Sequence, residues 1–494
     1  MPSPLHHPMD LSDPTALSAL ELSRAIRERE LSCREVMSAF LARIHRLNPL
    51  FNALVNLAPD EALLREADAA DAELARGHWR GWMHGLPQAI KDTGQAAGFP
   101  TTFGCELLKD MTAREDSLYV ARMKAAGCIV IAKTNMPEFG LGSHTYNTLF
   151  GTTVNAWDRT RSAGGSSGGA AVALAQRLLP VADGSDFMGS LRNPAAWNHL
   201  FGLRPSQGRV PGWPRPDLFV AQLATDGPMA RTAADLAALL RTQVGPDPRV
   251  PLALAEPLPA ADAPARSFAG MRIGWLGDLR GHLAVEPGIL EVCEAALRTM
   301  ESAGAIVEPL APGFSPAAVW EAWLVWRRAL VAPGVAAVLG LPGARERIKP
   351  EALWEHDQAQ GLSFNEFMRA STLRSSFHAQ MLRHFARFDL LALPVAQVWP
   401  FDAAQTWPRQ IAGRSMDTYH RWMEATLYAT FAGAPALSLP AGFDTAGRLP
   451  MGLQLIAAPR ADALLLDVAA AWEALDPGWL ARRPPEPAAA AEAA

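Results

Sequence analysis

The chain has 494 residues, 49% hydrophobic and 19% charged, a composition typical of a globular protein. Its 45 basic and 50 acidic residues are well interspersed and give a net charge of −5, so neither nucleic acid nor an anionic membrane surface is an expected partner. No run of about 18 uninterrupted apolar residues occurs, which predicts that no helix spans a membrane.

The N-terminal segment MPSPLHHPMD lacks the basic start and apolar run of a signal peptide, which favours a cytoplasmic protein. Four cysteines stand at wide spacings without a Cys-x-x-Cys pair, and we expect them to be plain buried thiols: Cys33, Cys105, Cys128 and Cys293. The 12 histidines form no His-Glu-x-x-His motif. We therefore expect no metal site and no cofactor.

The first part of the chain has helical periodicity. Apolar positions at helical spacing predict two helices, over residues 15–29 and 33–46. The Ala- and Glu-rich composition of residues 59–76 predicts a third. Asp13, followed by Pro14, is expected to start the first helix. Ser32 is expected to start the second, with Glu35 three residues later completing a capping box.

Beyond residue 80, short apolar runs alternate with helical stretches. Six runs are expected to be buried strands: Leu86–Ile90, Cys128–Ala132, Arg272–Leu276, Leu390–Val395, Ala436–Pro440 and Met451–Ile456. The helical stretches are 116–126, 168–178, 232–242, 287–303, 363–386, 417–431 and 461–474. Strands that alternate with helices predict an α/β fold, with a sheet covered by helices on both faces.

The chain contains no internal repeat of the solenoid type. We expect residues 1–480 to form a single domain, in which the Pro- and Ala-rich segment 246–266 is a surface excursion. The final residues, 481–494, are rich in alanine and proline and are expected to be a disordered tail.

Three segments carry candidate chemistry. In GLPQAIKDT, residues 85–93, Lys91 ends an apolar strand, where a lysine by itself is most often only solvated. GGSSGG, residues 164–169, runs into an apolar helix, which a flexible linker would not do, and it lacks the Gly-x4-Gly-Lys-Ser/Thr pattern of a phosphate loop. Its free N–H groups at a helix start suit a developing anion. GSDFMGSLRNPAA, residues 184–196, is a Gly-rich turn that carries Ser190.

Together these segments resemble the signature of the amidase signature family, in which GGSSGG precedes an Asp-x-x-Gly-Ser-x-Arg turn. KTNMPEFG, GPMAR, GAPALSLPAGF and LPMGLQLI resemble it too, so the resemblance extends from about residue 15 to about residue 475. It implies the amidase signature fold, with a large mixed central sheet, and the hydrolysis of amide-type C–N bonds.

The resemblance also implies roles for individual residues. Ser190 matches the nucleophile, Lys91 the catalytic lysine, and Ser166 the serine that bridges them after a cis peptide bond. The oxyanion hole would consist of the backbone N–H groups of Phe187, Met188, Gly189 and Ser190. Three further residues would support the loop, Asp186 and Arg192 by ion pairing and Ser167 by hydrogen bonding.

A lysine base is physically consistent with this sequence. A serine hydroxyl needs an adjacent base, and no His–Asp relay is evident. A lysine that is neutral near pH 7 needs its pKa lowered by about 3 units from ~10.4, which burial alone can achieve. Asp92 is adjacent to Lys91, but neighbours on a strand point to opposite faces.

Two departures from the family pattern bear on specificity. Met188 stands where the family usually has glycine. Because the oxyanion donors are backbone groups, this side chain need not disrupt the oxyanion hole. We interpret Met188 as a specificity residue that narrows the substrate pocket. The cysteine often found after the Pro-Ala-Ala run is replaced by Trp197 and Asn198. This replacement weakens the likeness to the tRNA-dependent amidotransferase subunits.

The expected substrate is a small apolar or aromatic amide or carbamate, and the chain resembles the urethanases and nylon-oligomer hydrolases of the family. Besides Met188, the residues expected to bind substrate are His144, Tyr146, Trp213, Leu218 and Phe219. Trp320 and Trp323 share a helix face, for which core or subunit packing is favoured over pocket lining. The alternatives are a non-catalytic member of the fold and an amidotransferase-type subunit. A homo-oligomer is compatible with the sequence, which does not predict the oligomeric state.

Overall fold

A computed structural model describes residues 10–260, 265–475 and 478–487. Its helices are α1 (Ala19–Arg27), α2 (Cys33–Phe51), α3 (Asp60–Ala75), α4 (Leu118–Ala125), α5 (Gly168–Ala175), α6 (Arg192–Trp197), α7 (Ala233–Gln243), α8 (Ile289–Ser302), α9 (Pro316–Leu339), α10 (Ala344–Arg347), α11 (Pro350–Gln358), α12 (Phe364–Phe385), α13 (Leu427–Ala432) and α14 (Asp462–Ala474). Its strands are β1 (Leu54–Val55), β2 (Pro87–Lys91), β3 (Ile129–Thr134), β4 (Tyr146–Asn147), β5 (Gly151–Thr152), β6 (Ala182–Asp186), β7 (Phe201–Arg204), β8 (Thr225–Ala230), β9 (Arg272–Trp275), β10 (Ile306–Pro309), β11 (Leu390–Pro394), β12 (Gln410–Ile411), β13 (Arg414–Ser415), β14 (Ala436–Phe443) and β15 (Pro450–Ala457).

A large mixed sheet dominates the architecture. Its strand order is β10-β9-β11-β15-β14-β7-β8-β6. Strand β9 pairs parallel with β10 and β11, and the other neighbours pair antiparallel. Helices α6, α8 and α14 pack on its strands. The α/β fold with a large mixed sheet is thus confirmed.

A separate three-stranded sheet, in the order β1-β3-β2, delivers the candidate lysine. Strand β2 contacts β6 of the large sheet, and Lys91 is its last residue. The backbone N–H of Lys91 donates to the carboxylate of Asp183 on β6, at 3.2 Å. The end of β2 is thereby held beside the strand that leads to Ser190.

The first helix begins later than its sequence pattern indicates. Asp13 caps only a short 3-10 turn, and α1 starts after Ser18, which forms a capping box with Glu21. This capping box satisfies N–H groups at the start of α1, so it decides where the helix begins. The capping box of Ser32 and Glu35 at the start of α2 is confirmed.

Two other segments differ from the sequence prediction. The Gly-rich segment from residue 184 is not all turn, because β6 extends to Asp186. This strand has no apolar pattern, and its buried carboxylates are satisfied by partners from elsewhere in the fold. The helix predicted over 417–431 is a 3-10 turn, Arg421–Thr426, followed by α13.

Two large hydrophobic clusters meet at the candidate nucleophile loop. Leu191 belongs to the cluster formed mainly by the N-terminal half, while Met188 belongs to the cluster around α9, α12 and α13. Trp320 and Trp323 are also buried in the second cluster, which agrees with the packing interpretation. The four cysteines are buried and free, as expected.

Among the described residues, α9 is long and apolar enough to cross a membrane by length and composition alone. Within its most apolar 18-residue stretch, only 39% is buried inside the molecule. The helix also carries Arg327, whose buried guanidinium pairs with Glu355 of α11. This ion pair ties α9 to its neighbouring helix.

The domain boundaries stay predictions. Residues 246–260 contain no helix or strand, and the carbonyl of Glu256 accepts a hydrogen bond from Arg209, while 261–264 lie outside the described residues. Of the expected tail, residues 488–494 also lie outside them. Before these, Arg482 donates to the Gly447 carbonyl at 2.7 Å, and Glu486 pairs with Arg43 at 3.1 Å.

Candidate active site

Lys91 is fully buried, and its ammonium nitrogen is surrounded by serine hydroxyls. Nζ lies 2.8 Å from Ser166 Oγ, 2.9 Å from Ser167 Oγ and 2.9 Å from Ser185 Oγ. Within the described part of the chain, it forms no ion pair with a carboxylate. Burial lowers the pKa of Lys91 to about 7, although the negative charges of Asp226, Asp186 and Asp183 oppose this effect.

The Gly-Ser-Ser turn brings two serines to Lys91. The peptide bond between Gly165 and Ser166 is cis, and helix α5 starts two residues after Ser166. Glycine is required at the start of this helix, because a Cβ on Gly168 would lie 2.3 Å from Thr145 Oγ1. The backbone N–H of Ser167 donates to the carbonyl of Ser190 at 3.2 Å, which joins the turn to the nucleophile loop.

The nucleophile loop is built around the carboxylate of Asp186. This side chain accepts hydrogen bonds from the amides of Gly189 (2.8 Å) and Leu191 (3.2 Å). The guanidinium of Arg192 binds it in a bidentate pair, with both distances 2.9 Å. Burial opposes ionisation of Asp186, but Arg192 and Arg204 outweigh it and hold the pKa of this carboxyl well below its usual range. The carboxylate therefore stays charged and fixes the loop.

The four backbone amides expected to form the oxyanion hole are not equivalent. Gly189 already donates its N–H to Asp186. The amides of Phe187, Met188 and Ser190 donate no hydrogen bond to any described residue. Three of the four amides thus have no acceptor among the described residues, whereas Gly189 braces the loop. Their role as an oxyanion hole stays a prediction.

Gly189 is also held from outside the loop. Its φ is +90°, and an added Cβ would lie 2.6 Å from Thr426 Oγ1. Phe187 packs against Trp323 with ring centroids 5.2 Å apart, and Met188 is 2% exposed. Met188 thus contributes to the core behind the loop.

The structure does not form the whole relay through side-chain hydrogen bonds. Ser190 and Ser166 are 6% and 4% exposed, and the turn and loop that carry them are hydrogen-bonded to each other. No hydrogen bond between Ser166 Oγ and Ser190 Oγ is formed among the described residues. The contact that would complete a proton relay therefore belongs to the proposal below.

A small cavity with room for about one water molecule lies beside the Gly-Ser-Ser turn. A Cβ added to Gly165 would lie 3.1 Å from the backbone nitrogen of His144, which lines this cavity. The residues that line it include His144, Tyr146, Lys349, Glu351, Trp407 and Trp422. His144 is a fixed wall, because its ring nitrogens bond to Ser162 Oγ (2.8 Å) and the Ala403 carbonyl (3.0 Å). Two of the expected substrate residues, His144 and Tyr146, thus lie together.

The other expected substrate residues are not part of this cavity. Trp213 stacks against Arg249 and precedes a cis proline. Leu218 is half-buried, and the side chain of Phe219 is 67% exposed. The substrate roles of these three residues stay predictions.

Sequence reasoning missed several residues that shape the site. Ser185 touches Lys91, Asp183 holds the end of β2, and Thr426 closes over Gly189. Lys349 and Glu351, in the cavity, were missed as well. Only Ser185 had a sequence signal, since it stands within the motif GSDFMGS.

Comparison with known proteins adds independent findings. The model of the Amidase family matches residues 35–466. An acylamidase of Rhodococcus erythropolis is 33% identical over 476 residues, which cover 95% of this chain and 97% of the relative. A glutamyl-tRNA(Gln) amidotransferase subunit of Thermosynechococcus vestitus is 32% identical, and the match covers 94% of this chain and 98% of that protein.

Solved structures agree with these sequence relatives. A bacterial aryl acylamidase of the amidase signature enzymes has a TM-score of 0.87 at 30% identity, covering 93% of this chain and 96% of that one. A 6-aminohexanoate cyclic dimer hydrolase has a TM-score of 0.82 at 28% identity, covering 95% and 99%. The chain is therefore similar to amide-cleaving enzymes over almost its entire length.

Proposed function

Because this chain belongs to the amidase signature family and is an enzyme that hydrolyses amide C–N bonds, we propose that it works through an acyl-enzyme on Ser190. Ser166 and Lys91 complete the proposed catalytic triad, and aryl amides and aryl carbamates are the proposed substrates. One observation carries this proposal: the buried Lys91 Nζ lies 2.8 Å from Ser166 Oγ, among hydroxyls rather than carboxylates.

In the acylation step, Ser190 Oγ attacks the substrate carbonyl. Its proton passes to Ser166 while the proton of Ser166 passes to neutral Lys91. The amides of Phe187, Met188 and Ser190 stabilise the oxyanion, where one such donor is typically worth about 10²–10³ in rate. Gly189 and Asp186 keep these amides in place.

Collapse of the tetrahedral intermediate breaks the C–N bond. The proton now on Lys91 returns through Ser166 to the leaving nitrogen, and the amine departs. Water then attacks the ester on Ser190 and gives a proton to Lys91 through Ser166. The bond between the carbonyl carbon and Ser190 Oγ breaks, the acid product leaves, and the proton returns through Ser166 to Ser190 Oγ. Carbamates use the same groups, because the same C–N bond is broken and the same amine departs.

The preference for aryl substrates is supported by the relatives and by the aromatic walls of the cavity. The relatives include proteins named acylamidase and aryl acylamidase, and Trp407 and Trp422 line the small cavity next to the Gly-Ser-Ser turn. We place the enzyme in the cytoplasm, acting on small molecules.

The test measures aromatic amine release from a matched anilide and aryl carbamate, with wild type beside Ser190→Ala. We expect wild-type turnover of both substrates and a loss of roughly 10³-fold or more in the variant, since a single knockout of a catalytic serine disables the relay. The ratio of the two wild-type rates gives the preference between amide and carbamate. Unchanged turnover in Ser190→Ala would refute the proposal.

A second candidate is an amidotransferase-type subunit that produces ammonia from glutamine within a complex. The 32% identity to a glutamyl-tRNA(Gln) amidotransferase subunit favours it. Glutaminase activity of the isolated chain, together with no turnover of the anilide and carbamate, would replace the first proposal with this one.

A further inference from the structure

A second and larger cleft lies between the start of α1, the end of α5 and the C-terminal segment 478–487. About 330 Å³ of it is open to water, which is within the size range of small-molecule sites. Its described lining residues include none of the proposed triad and none that line the small cavity beside the Gly-Ser-Ser turn. The proposed reaction therefore does not use this cleft.

The lining of the cleft is positively charged. It contains four arginine side chains: Arg177, Arg231, Arg482 and Arg483. The acidic side chains in the lining are Glu21 and Glu473, so four guanidinium groups face two carboxylates and the net charge is +2. His199 also lines the cleft, but burial lowers its pKa to about 4, so it is neutral near pH 7.

The nearby carboxylates are engaged by backbone amides. Glu21 accepts a hydrogen bond from the N-cap amide of α1 at 2.7 Å. Both oxygens of Glu473 accept from the Ala233 amide at the start of α7, at 3.2 and 3.4 Å. Asp235, whose charge also acts on Arg231, accepts from two amides at the start of α1, both at 3.0 Å. Among the described residues, no carboxylate forms an ion pair with an arginine of the cleft.

Two of the arginines are fixed by backbone carbonyls and keep donors for a ligand. Arg177 donates from Nη1 to the carbonyl of Ala16. Arg231 donates from Nη2 to the Leu17 carbonyl at 2.6 Å and from Nη1 to the Leu179 carbonyl at 3.0 Å. A guanidinium has five N–H donors, and within the described part of the chain the Nε and Nη2 groups of Arg177 donate to no acceptor.

The guanidinium groups of the cleft repel one another. Burial lowers the pKa of Arg177 to about 9, and the nearby charges of Arg231 and Arg483 contribute to this decrease. Burial likewise lowers the pKa of Arg231 to about 10, and Arg483 again contributes. Arg483 is exposed and forms no hydrogen bond with the residues that the structure describes. An anion bound between these groups would offset their repulsion.

The backbone at Arg177 favours a different residue. Its φ is +57°, a left-handed conformation that glycine adopts without strain. Arg177 directly follows the C-cap of α5, and glycine is the usual residue at this position of a helix end. The local backbone therefore does not account for an arginine here, whereas its side chain, which lines the cleft, does.

We propose that this cleft binds a phosphate monoester of a small organic molecule. Such an ester is a dianion near neutral pH, which matches the net charge of the lining, and guanidinium groups bind phosphate oxygens in pairs of hydrogen bonds. The phosphate accepts from Nε and Nη2 of Arg177 and pairs with Arg483. The organic group packs against the apolar side chains of Leu480 and Pro484.

The test measures binding of monobutyl phosphate to the full chain by isothermal titration calorimetry near pH 7.5. We expect one site with a Kd below about 1 mM. Inorganic phosphate and succinate should bind more weakly, and butanol should not bind. Ser190→Ala protein should bind butyl phosphate as tightly as wild type, because the cleft is separate from the candidate active site.

Arg177→Gly removes a guanidinium and places glycine at a left-handed position, so the variant should fold, which thermal unfolding checks. It should weaken butyl phosphate binding roughly 10- to 100-fold, the range for a hydrogen bond to a charged group. Arg483→Gln should weaken binding roughly 2- to 5-fold, as expected for an exposed charge. The matched control, Arg383→Gln, changes an exposed arginine of α12 outside the cleft and should leave the affinity unchanged.

The opposite results would overturn the inference. Wild type that binds no butyl phosphate at millimolar concentration would refute the site, as would unchanged affinity in folded Arg177→Gly. Succinate or inorganic phosphate that binds as tightly as butyl phosphate would refute the assignment to a phosphate monoester. Loss of binding in Ser190→Ala would place the anion in the candidate active site instead.

Discussion

Lys91 shows how the surroundings of one side chain set its chemistry. Three serine hydroxyls lie within 2.9 Å of its Nζ, and three aspartates act on it only from a greater distance. Burial is the largest influence on its pKa, which falls to about 7. A lysine in such surroundings is a proton acceptor near neutral pH.

The proposed role of Lys91 predicts the pH dependence of activity. The neutral form is the base, so kcat/KM on a neutral anilide should rise with pH and reach half its maximum near pH 7. The Lys91→Met variant should lose roughly 10³-fold or more in kcat/KM. Initial rates across pH test both statements, and full activity in Lys91→Met would refute the role.

The same pKa shift predicts a stability difference. Unfolded Lys91 binds its proton more strongly than folded Lys91, so protonation favours unfolding as the pH falls from about 10.5 towards about 7. Between these two pH values, the free energy of unfolding decreases by about 1.4 kcal/mol for each pH unit, and below them this decrease is constant. Lys91→Met removes this decrease.

Thermal unfolding of wild type and Lys91→Met at several pH values tests this expectation. The Tm of the variant minus that of wild type should increase as the pH falls from about 9 to about 7, because other titrating groups cancel in the difference. A difference independent of pH would contradict the shifted pKa.

At the scale of elements, the loop between β6 and α6 depends on a single buried carboxylate. Asp186 ends β6, Arg192 begins α6, and their bidentate pair spans the loop that carries Ser190. Arg204 on β7 contacts the same carboxylate at 3.4 Å. Helix α6 and strand β7 are therefore both held to the loop by the negative charge of Asp186.

Asp186→Asn should destabilise the enzyme by about 3–5 kcal/mol, because it leaves two buried guanidinium groups without their counter-charge. Urea unfolding at neutral pH measures the loss. The matched control is Asp110→Asn, which changes an exposed aspartate. An effect of Asp186→Asn no larger than that of the control would contradict the assigned role.

The same loop shows where sequence patterns are insufficient. Strand β6 has the sequence ADGSD, which suggests a turn because it contains no apolar alternation. Its carboxylates are tolerated only because the Lys91 amide, Tyr119 and Arg192 donate to them. In contrast, the capping box of α2 involves residues three apart, so the sequence alone located it.

At the scale of the whole molecule, the four thiols are buried in hydrophobic clusters. Cys33, Cys128 and Cys293 lie in the cluster that contains Leu191, and Cys105 lies in a smaller cluster with Ala344 of α10. Burial raises the pKa of Cys105 and Cys128 to about 12, and it raises that of Cys33 and Cys293 further. A thiol that is both buried and protonated reacts slowly with electrophiles.

We therefore expect a disulfide-exchange reagent to modify almost none of the four cysteines in the native enzyme and all four after unfolding in denaturant. Spectrophotometric thiol counting before and after denaturation measures this. Rapid modification of one thiol in native protein would show that its surroundings open to solvent.

The sequence by itself determined the family, the α/β fold, and the positions of Lys91, Ser166 and Ser190 as candidates. These conclusions depend on short contiguous motifs, in which residue type and spacing are preserved along the chain. The start of α2 at Ser32 could be predicted for the same reason, because its capping box involves residues only three positions apart.

Only the tertiary structure decided which atoms are free to act. It engages the Gly189 amide with Asp186, places Thr426 against Gly189, and surrounds the Lys91 ammonium with serine hydroxyls. These contacts join residues far apart in the chain, and no local pattern encodes them. Hydrogen-bond satisfaction and burial depend on distances that exist only after the chain has folded.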